Sequence, residues 1–223
     1  MSEKIKVCID KLPPKSNKEI ALIKEYLWEP GQTIHVRFLD GVSEVQEKVK
    51  EHAKKWEEYA NIKFDFDDSP NAEIRISFDT KDGSWSYIGT YCKKIDKNKA
   101  TMNYGWLHPN TSETEYSRVV LHEFGHALGC IHEHQNPTAN IPWDKEAVYS
   151  YYMGPPNNWK KEEVDDNIFA RYSKNMTNFT EFDPTSIMLY SIPEDHTIGD
   201  YAVVGGVTLS EKDKEFIQQM YPR

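Results

Sequence analysis

The sequence predicts an α+β domain, with a mixed β-sheet and two long helices in an upper lobe and a less regular lobe below. Two observations carry the prediction. Up to Gly129, runs that alternate with period two interleave with two stretches of helical spacing. Beyond Gly129 the pattern changes, and Pro137, Pro142, Pro155-Pro156 and Asn157-Asn158 break the chain repeatedly.

The elements follow in order. Residues 1–20 are a polar, Lys-rich lead containing Pro13-Pro14, which reads as a short pro-segment or a frayed arm, and residues 21–223 form the folded domain. Thr33-Ile34-His35-Val36-Arg37-Phe38 alternates and is β-rich, so it predicts a strand that ends at Asp40-Gly41. Ser43-x-x-Gln46 has the form of a capping box. Behind it, Val45, Val49, Ala53, Trp56 and Ala60 recur at helical spacing and predict an amphipathic helix of about four turns with its apolar stripe in the core. Residues 62–66 and 73–78 alternate as two further strands, and 87–89 and 100–104 carry a weaker version of the same signal. Ser112-x-x-Glu115 caps a second long helix over about 113–128, with Val119, Val120, Phe124 and Leu128 on its buried side. Short helices are expected near 143–152 and 161–172, and Ser210 caps a last helix whose inner face is Phe216, Ile217, Met220 and Tyr221.

Composition bounds what such a domain can do. With 223 residues, 38% hydrophobic and 13% aromatic, the chain can bury a sizeable core and is not a disordered sequence. A formal net charge of -9 argues against nucleic acid and anionic membranes as partners, and the domain is read as a monomer. No apolar run is long enough for a transmembrane helix, and Met1 to Lys18 carries charges throughout in place of the apolar core of a secretory signal. The expectation is a protein that stays inside the cell, leaves by another route, or is shown here without its leader. Three widely spaced cysteines, Cys8, Cys92 and Cys130, do not form a disulfide framework.

Chemistry concentrates in one stretch, His122-Glu123-Phe124-Gly125-His126-Ala127-Leu128-Gly129-Cys130-Ile131-His132-Glu133. Residues four apart share a helix face, so His122 and His126 can aim two imidazoles at one ion. Glu123 sits one step round, placed to reach a water on that ion as a general base. Gly129 ends the helix, since glycine takes a left-handed cap at no steric cost, and the turn returns His132 as a third nitrogen ligand. Three protein ligands leave a position for water, which marks a catalytic zinc site, one Zn²⁺ per chain. A bare H-E-x-x-H can arise by chance on a surface helix; the added glycine and third histidine make the pattern specific to the metzincins. The group's second signature, a Met-containing turn, is present as Ser186-Ile187-Met188-Leu189-Tyr190.

These two motifs, with His132-Glu133 directly after the glycine turn and the Ser-x-Met-x-Tyr form of the Met-turn, resemble the astacin-like zinc metallopeptidases. Gly83-Ser84-Trp85-Ser86-Tyr87-Ile88-Gly89 matches the strand region upstream of the family's zinc helix. The resemblance runs from about Tyr26 to Tyr221. It implies the zincin/metzincin fold: an upper lobe with a mixed sheet and the active-site helix, an irregular lower lobe with the Met-turn and C-terminal helix, and a substrate cleft between them. Residues 21–223 would then be the catalytic domain of a zinc-dependent endopeptidase acting on protein or peptide substrates. Asn61 and Ser84 stand where cysteines of the family's disulfides are expected, so the resemblance is to a disulfide-poor, bacterial-type member.

The resemblance also distributes roles. His122, His126 and His132 bind zinc, Glu123 is the general base, Tyr190 is a switchable fifth ligand that donates to the oxyanion, and Met188 is an apolar floor. Leu189 replaces a frequent histidine and Cys130 a frequent aromatic, neither of them a ligand position. Glu133 in the resembling enzymes meets the new N-terminus after maturation. Family members are commonly zymogens, and in this chain Cys8 or Asp10 of the lead is a candidate latency ligand, the alternative being that Cys8 is a strand or arm residue with no metal role. His134 lies two residues past a ligand set that is already complete. Trp85, Tyr87 and Tyr91 either edge the cleft or belong to the core. The rival readings are a catalytically weak or latent zinc domain that binds peptides, and a structural zinc module.

Overall fold

A computed structural model describes residues 8–11, 25–155, 157–172 and 181–223. The boundary expected at residues 20–21, Pro13-Pro14 and part of the approach to the Met-turn lie outside the described residues.

Among the described residues six strands form one sheet: β1 (Cys8–Lys11), β2 (Thr33–Phe38), β3 (Lys63–Phe66), β4 (Ile74–Ser77), β5 (Ser84–Tyr87) and β6 (Met102–Tyr104), in the order β1-β5-β6-β4-β2-β3. β6, β4, β2 and β3 run parallel, while β5 is antiparallel to β6. β1 lies parallel to β5 in the register Cys8↔Ser84 to Lys11↔Tyr87. Part of the expected lead is therefore an edge strand of the sheet.

Two helices pack together over the sheet: α1 (Ser43–Ala53), prolonged by a 3₁₀ turn over Lys54–Glu58, and α2 (Glu113–Ala127). Trp56 and Phe124 are fully buried between them and the sheet, and Phe124 meets Phe64 edge to face at 4.9 Å between ring centroids. Burial of such side chains contributes about 1.5–3 kcal/mol each. The capping box expected at Ser43 does not form. Val42 is the N-cap, so Ser43 already lies inside the helix, and Gln46 Nε2 donates back to the carbonyls of Asp40 and Gly41 at 3.0 and 3.3 Å. For α2 the expectation holds: Ser112 Oγ accepts from Glu115 N–H at 3.3 Å.

Below lie α3 (Lys145–Met153), α4 (Lys161–Val164) running into a π turn over Asp165–Phe169, and α5 (Glu211–Met220). Two satellite cores stabilise this lobe, one around Ala139, Ile141, Leu189 and Ile192, the other around Val148, Tyr152, Val164 and Ile168. α5 belongs to the main core through Ile217 and Tyr221, with Ser210 and Asp213 forming its capping box. All three cysteines are free and buried. Among the described residues, no helix is long and apolar enough to cross a membrane.

Candidate metal centre

α2 places His122 and His126 one turn apart, and the helix stops where the sequence requires it. Gly129 has φ +95°, Gly129 N–H donates to His126 O at 2.8 Å, and Cys130 N–H donates to Gly125 O at 2.9 Å. The chain reverses and brings His132 back beside the helix. His126 Nε2 stands 3.1 Å from both His122 Nε2 and His132 Nε2, and all three residues are buried.

Tautomers follow from the opposite ring nitrogens. His122 Nδ1 donates to Ile187 O at 2.7 Å and His126 Nδ1 to Cys130 O at 2.8 Å, so their Nε2 atoms present lone pairs. Burial, then the neighbouring imidazoles, holds His122 well below the usual histidine range; burial, then His134, does the same for His132. Neutral imidazoles with converging lone pairs are what a soft divalent cation accepts. A tetrahedral zinc with Zn–N of about 2.0–2.1 Å separates its nitrogens by roughly 3.3 Å, close to what is found here.

The other site residues surround this triad. Glu123, next after His122, is fully buried. Tyr190 Oη lies against His132 Nε2 and donates to the carbonyl of Cys8, with the two rings 4.3 Å apart. Met188 packs against the helix at Gly125, where a Cβ would run into its Sδ, which explains the glycine inside the helix. β1 buries the Cys8 side chain completely and brings it near the Glu123 carboxylate. Burial, then the Glu123 charge, pushes that thiol up. The Asp10 side chain lies outside the described residues.

His134 is not brought into the ligand set; its Nε2 pairs with Asn167 O at 2.8 Å. Glu133, half-buried, accepts at Oε1 from Asn136 Nδ2 and Asp183 N–H, both at 2.9 Å, and desolvation raises its pKa to about 7. It borders a cavity of about 40 Å³ that Cys130, Asp183, Lys212 and Asp213 also line. Trp85, on β5, is buried with its indole N–H on Asp82, while Tyr87 and Tyr91 are half-buried in contact with each other.

Three aromatic donors that sequence reasoning did not single out for the site hold the helix that carries it. Trp56 Nε1 donates to Leu121 O at 3.0 Å, Trp28 Nε1 to Ala127 O at 2.7 Å and Tyr221 Oη to Leu128 O at 2.6 Å. The last two serve carbonyls at the helix end that have no partner within the helix. Helical spacing announces Trp56 and Tyr221 only as core positions and says nothing of Trp28; nothing local announces the hydrogen bonds.

Comparison with known proteins adds the following. The model of the Astacin peptidase family matches residues 21–221. Among solved structures the chain is similar to one of myroilysin, 48% identical with a TM-score of 0.88, covering 90% of this chain and 98% of that one. A second myroilysin crystal structure is 47% identical with a TM-score of 0.76 and covers 99% of this chain and 93% of that one. High choriolytic enzyme 1, a hatching-enzyme zinc protease of the medaka Oryzias latipes, shares the fold at 16% identity and a TM-score of 0.62, over 95% of this chain and 98% of that one. Curated proteins give no match.

Proposed function

Because the chain belongs to the astacin family of zinc metallopeptidases, we propose that it cleaves internal peptide bonds with Glu123 as proton carrier and Tyr190 as oxyanion donor. The observation that carries this reading is the convergence of three buried Nε2 atoms at 3.1 Å contacts, with Glu123 at the next helical position. His122, His126 and His132 would hold the zinc, which when bound acidifies a water to a pKa of about 7 and polarises a carbonyl.

Glu123 accepts a proton from the attacking water as the C–O bond forms. It holds the proton through the tetrahedral stage and delivers it to the leaving nitrogen as the C–N bond breaks. No Ser or Cys nucleophile is needed. Tyr190, whose hydroxyl lies against His132 Nε2, would be a further ligand to the metal and would donate to the oxyanion. The substrate is a peptide or protein segment. The acidic surface, net charge -9, supports a monomer that binds neither nucleic acid nor membrane.

A second reading concerns state more than chemistry, and β1 favours it. Residues 1–20 act as a short pro-segment and 21–223 as the catalytic domain. Cys8 or Asp10 would supply the latency ligand, since zinc takes both sulfur and oxygen. What supports it is that the Cys8 side chain is fully buried near the Glu123 carboxylate.

The test measures zinc content and casein hydrolysis on the full chain. Wild type should carry one zinc, lose activity to phenanthroline and regain it with Zn²⁺. Glu123→Ala should keep zinc and lose most turnover, and His126→Ala should lose the metal. Activity that survives complete metal removal, or full turnover by Glu123→Ala, overturns the reading.

A further inference from the structure

Between the metal centre and the C-terminal helix runs one unbroken line of hydrogen bonds. His122 Nδ1–H donates to Ile187 O at 2.7 Å. The N–H of that same peptide unit, on Met188, donates to Ser186 Oγ at 3.0 Å. The Ser186 hydroxyl donates onward to Asp213 Oδ1 at 2.7 Å. The other oxygen, Asp213 Oδ2, accepts from Ile187 N–H at 2.8 Å and Ser210 N–H at 2.9 Å. His122, Ser186, Met188 and Asp213 are all buried, so solvent does not screen the line.

Every donor in it points towards the carboxylate. Hydrogen bonds arranged head to tail polarise one another, most strongly in a low-dielectric interior. A metal-ligating histidine commonly gives its second N–H to a carboxylate or carbonyl, which fixes the ring and raises ligand basicity. Here the immediate acceptor is a carbonyl, and the charge stands two links behind it. The hydroxyl at 186 is needed because that link must accept from an N–H and donate to a carboxylate. Alanine can do neither, and threonine can do both.

We propose that Ser186 and Asp213 are positioning residues for the metal centre: through the Ile187–Met188 peptide they fix the His122 tautomer and increase the electron density its Nε2 offers the metal. The inference rests on the zinc reading above and adds two residues that touch neither metal nor substrate.

The experiment measures zinc dissociation constants of the full chain by competition with a chromophoric chelator, beside the thermal midpoint of the metal-free protein. Ser186→Ala should bind zinc about 10–100-fold more weakly, as loss of such outer contacts does elsewhere. Ser186→Thr should stay within about threefold of wild type. Ser210→Ala is the control. It removes a hydroxyl that accepts from Asp213 N–H at 3.0 Å and donates to Asp183 at 2.6 Å but lies off the line to His122, so its midpoint should fall while zinc affinity holds. Should Ser186→Ala fail to fold, Asp213→Asn, which keeps size and removes charge, takes its place against the same control. A separation from Ser210→Ala of less than about fivefold overturns the proposal. A wild type that binds no zinc overturns the reading of the site instead.

Discussion

Tyr190 keeps its hydroxyl between His132 Nε2 and the carbonyl of Cys8. A phenol so placed can leave a ligand position and meet a new oxyanion with little movement. Tyr190→Phe should retain zinc and lower kcat by about 10²–10³, the cost of removing one oxyanion donor, with KM nearly unchanged. Steady-state kinetics on a fluorogenic peptide decides it, and a kinetically silent Tyr190→Phe removes that role. At this scale much of the centre was legible in advance. His122, Glu123 and His126 follow from helical spacing, His132 from Gly129, and Tyr190 from the Met-turn motif. Asp213 was not legible. It meets Ser186 across 27 positions and Ile187 across 26, and local periodicity says nothing about contacts at that range.

At the scale of elements, burial explains which strands the sequence announced. β2 alternates between buried and more exposed positions, and its period-two pattern is plain. β5 begins Ser-Trp-Ser with all three residues buried, and β6 is Met-Asn-Tyr with all three buried. Elements covered on both faces lose the alternation that marks a strand. β1 is the consequential element, because its pairing with β5 occupies an edge of the sheet beside the histidines and sets the Cys8 thiol against Glu123. A substrate segment using the same edge has to displace it, and apparent affinity falls with the fraction of molecules in which the edge is free. The double variant Cys8→Ala, Asp10→Ala should therefore hydrolyse casein at least about tenfold faster than the intact chain at equal zinc content. Equal rates would leave β1 a structural strand and the enzyme constitutively open.

Taken whole, the molecule gathers both ends of its described domain at the end of the zinc helix. Trp28 and Tyr221, 193 positions apart, converge there: Trp28 N–H reaches Tyr221 Oη at 3.4 Å, and that hydroxyl donates to Leu128 O at 2.6 Å. Asn61 N–H donates to the Tyr221 carbonyl at 2.9 Å, which ties the same residue to the start of β3. Helical spacing placed Tyr221 in the core, and the ring is indeed fully buried; that its phenol closes the helix before the Gly129 turn is a property of the assembled fold. Two substitutions separate those functions. Tyr221→Phe keeps the ring but leaves the Leu128 carbonyl without that donor in a buried setting, a loss of about 1–3 kcal/mol. Tyr221→Ala also empties the ring's volume and should cost about 3–5 kcal/mol. For a chain of this size each kcal/mol lowers the thermal midpoint by about 2–4 °C. Calorimetry of both zinc-loaded variants should thus give a graded fall, larger for alanine. A Tyr221→Phe protein melting with wild type would mean that the helix end is held without the phenol, by the glycine turn and the Trp28 indole alone.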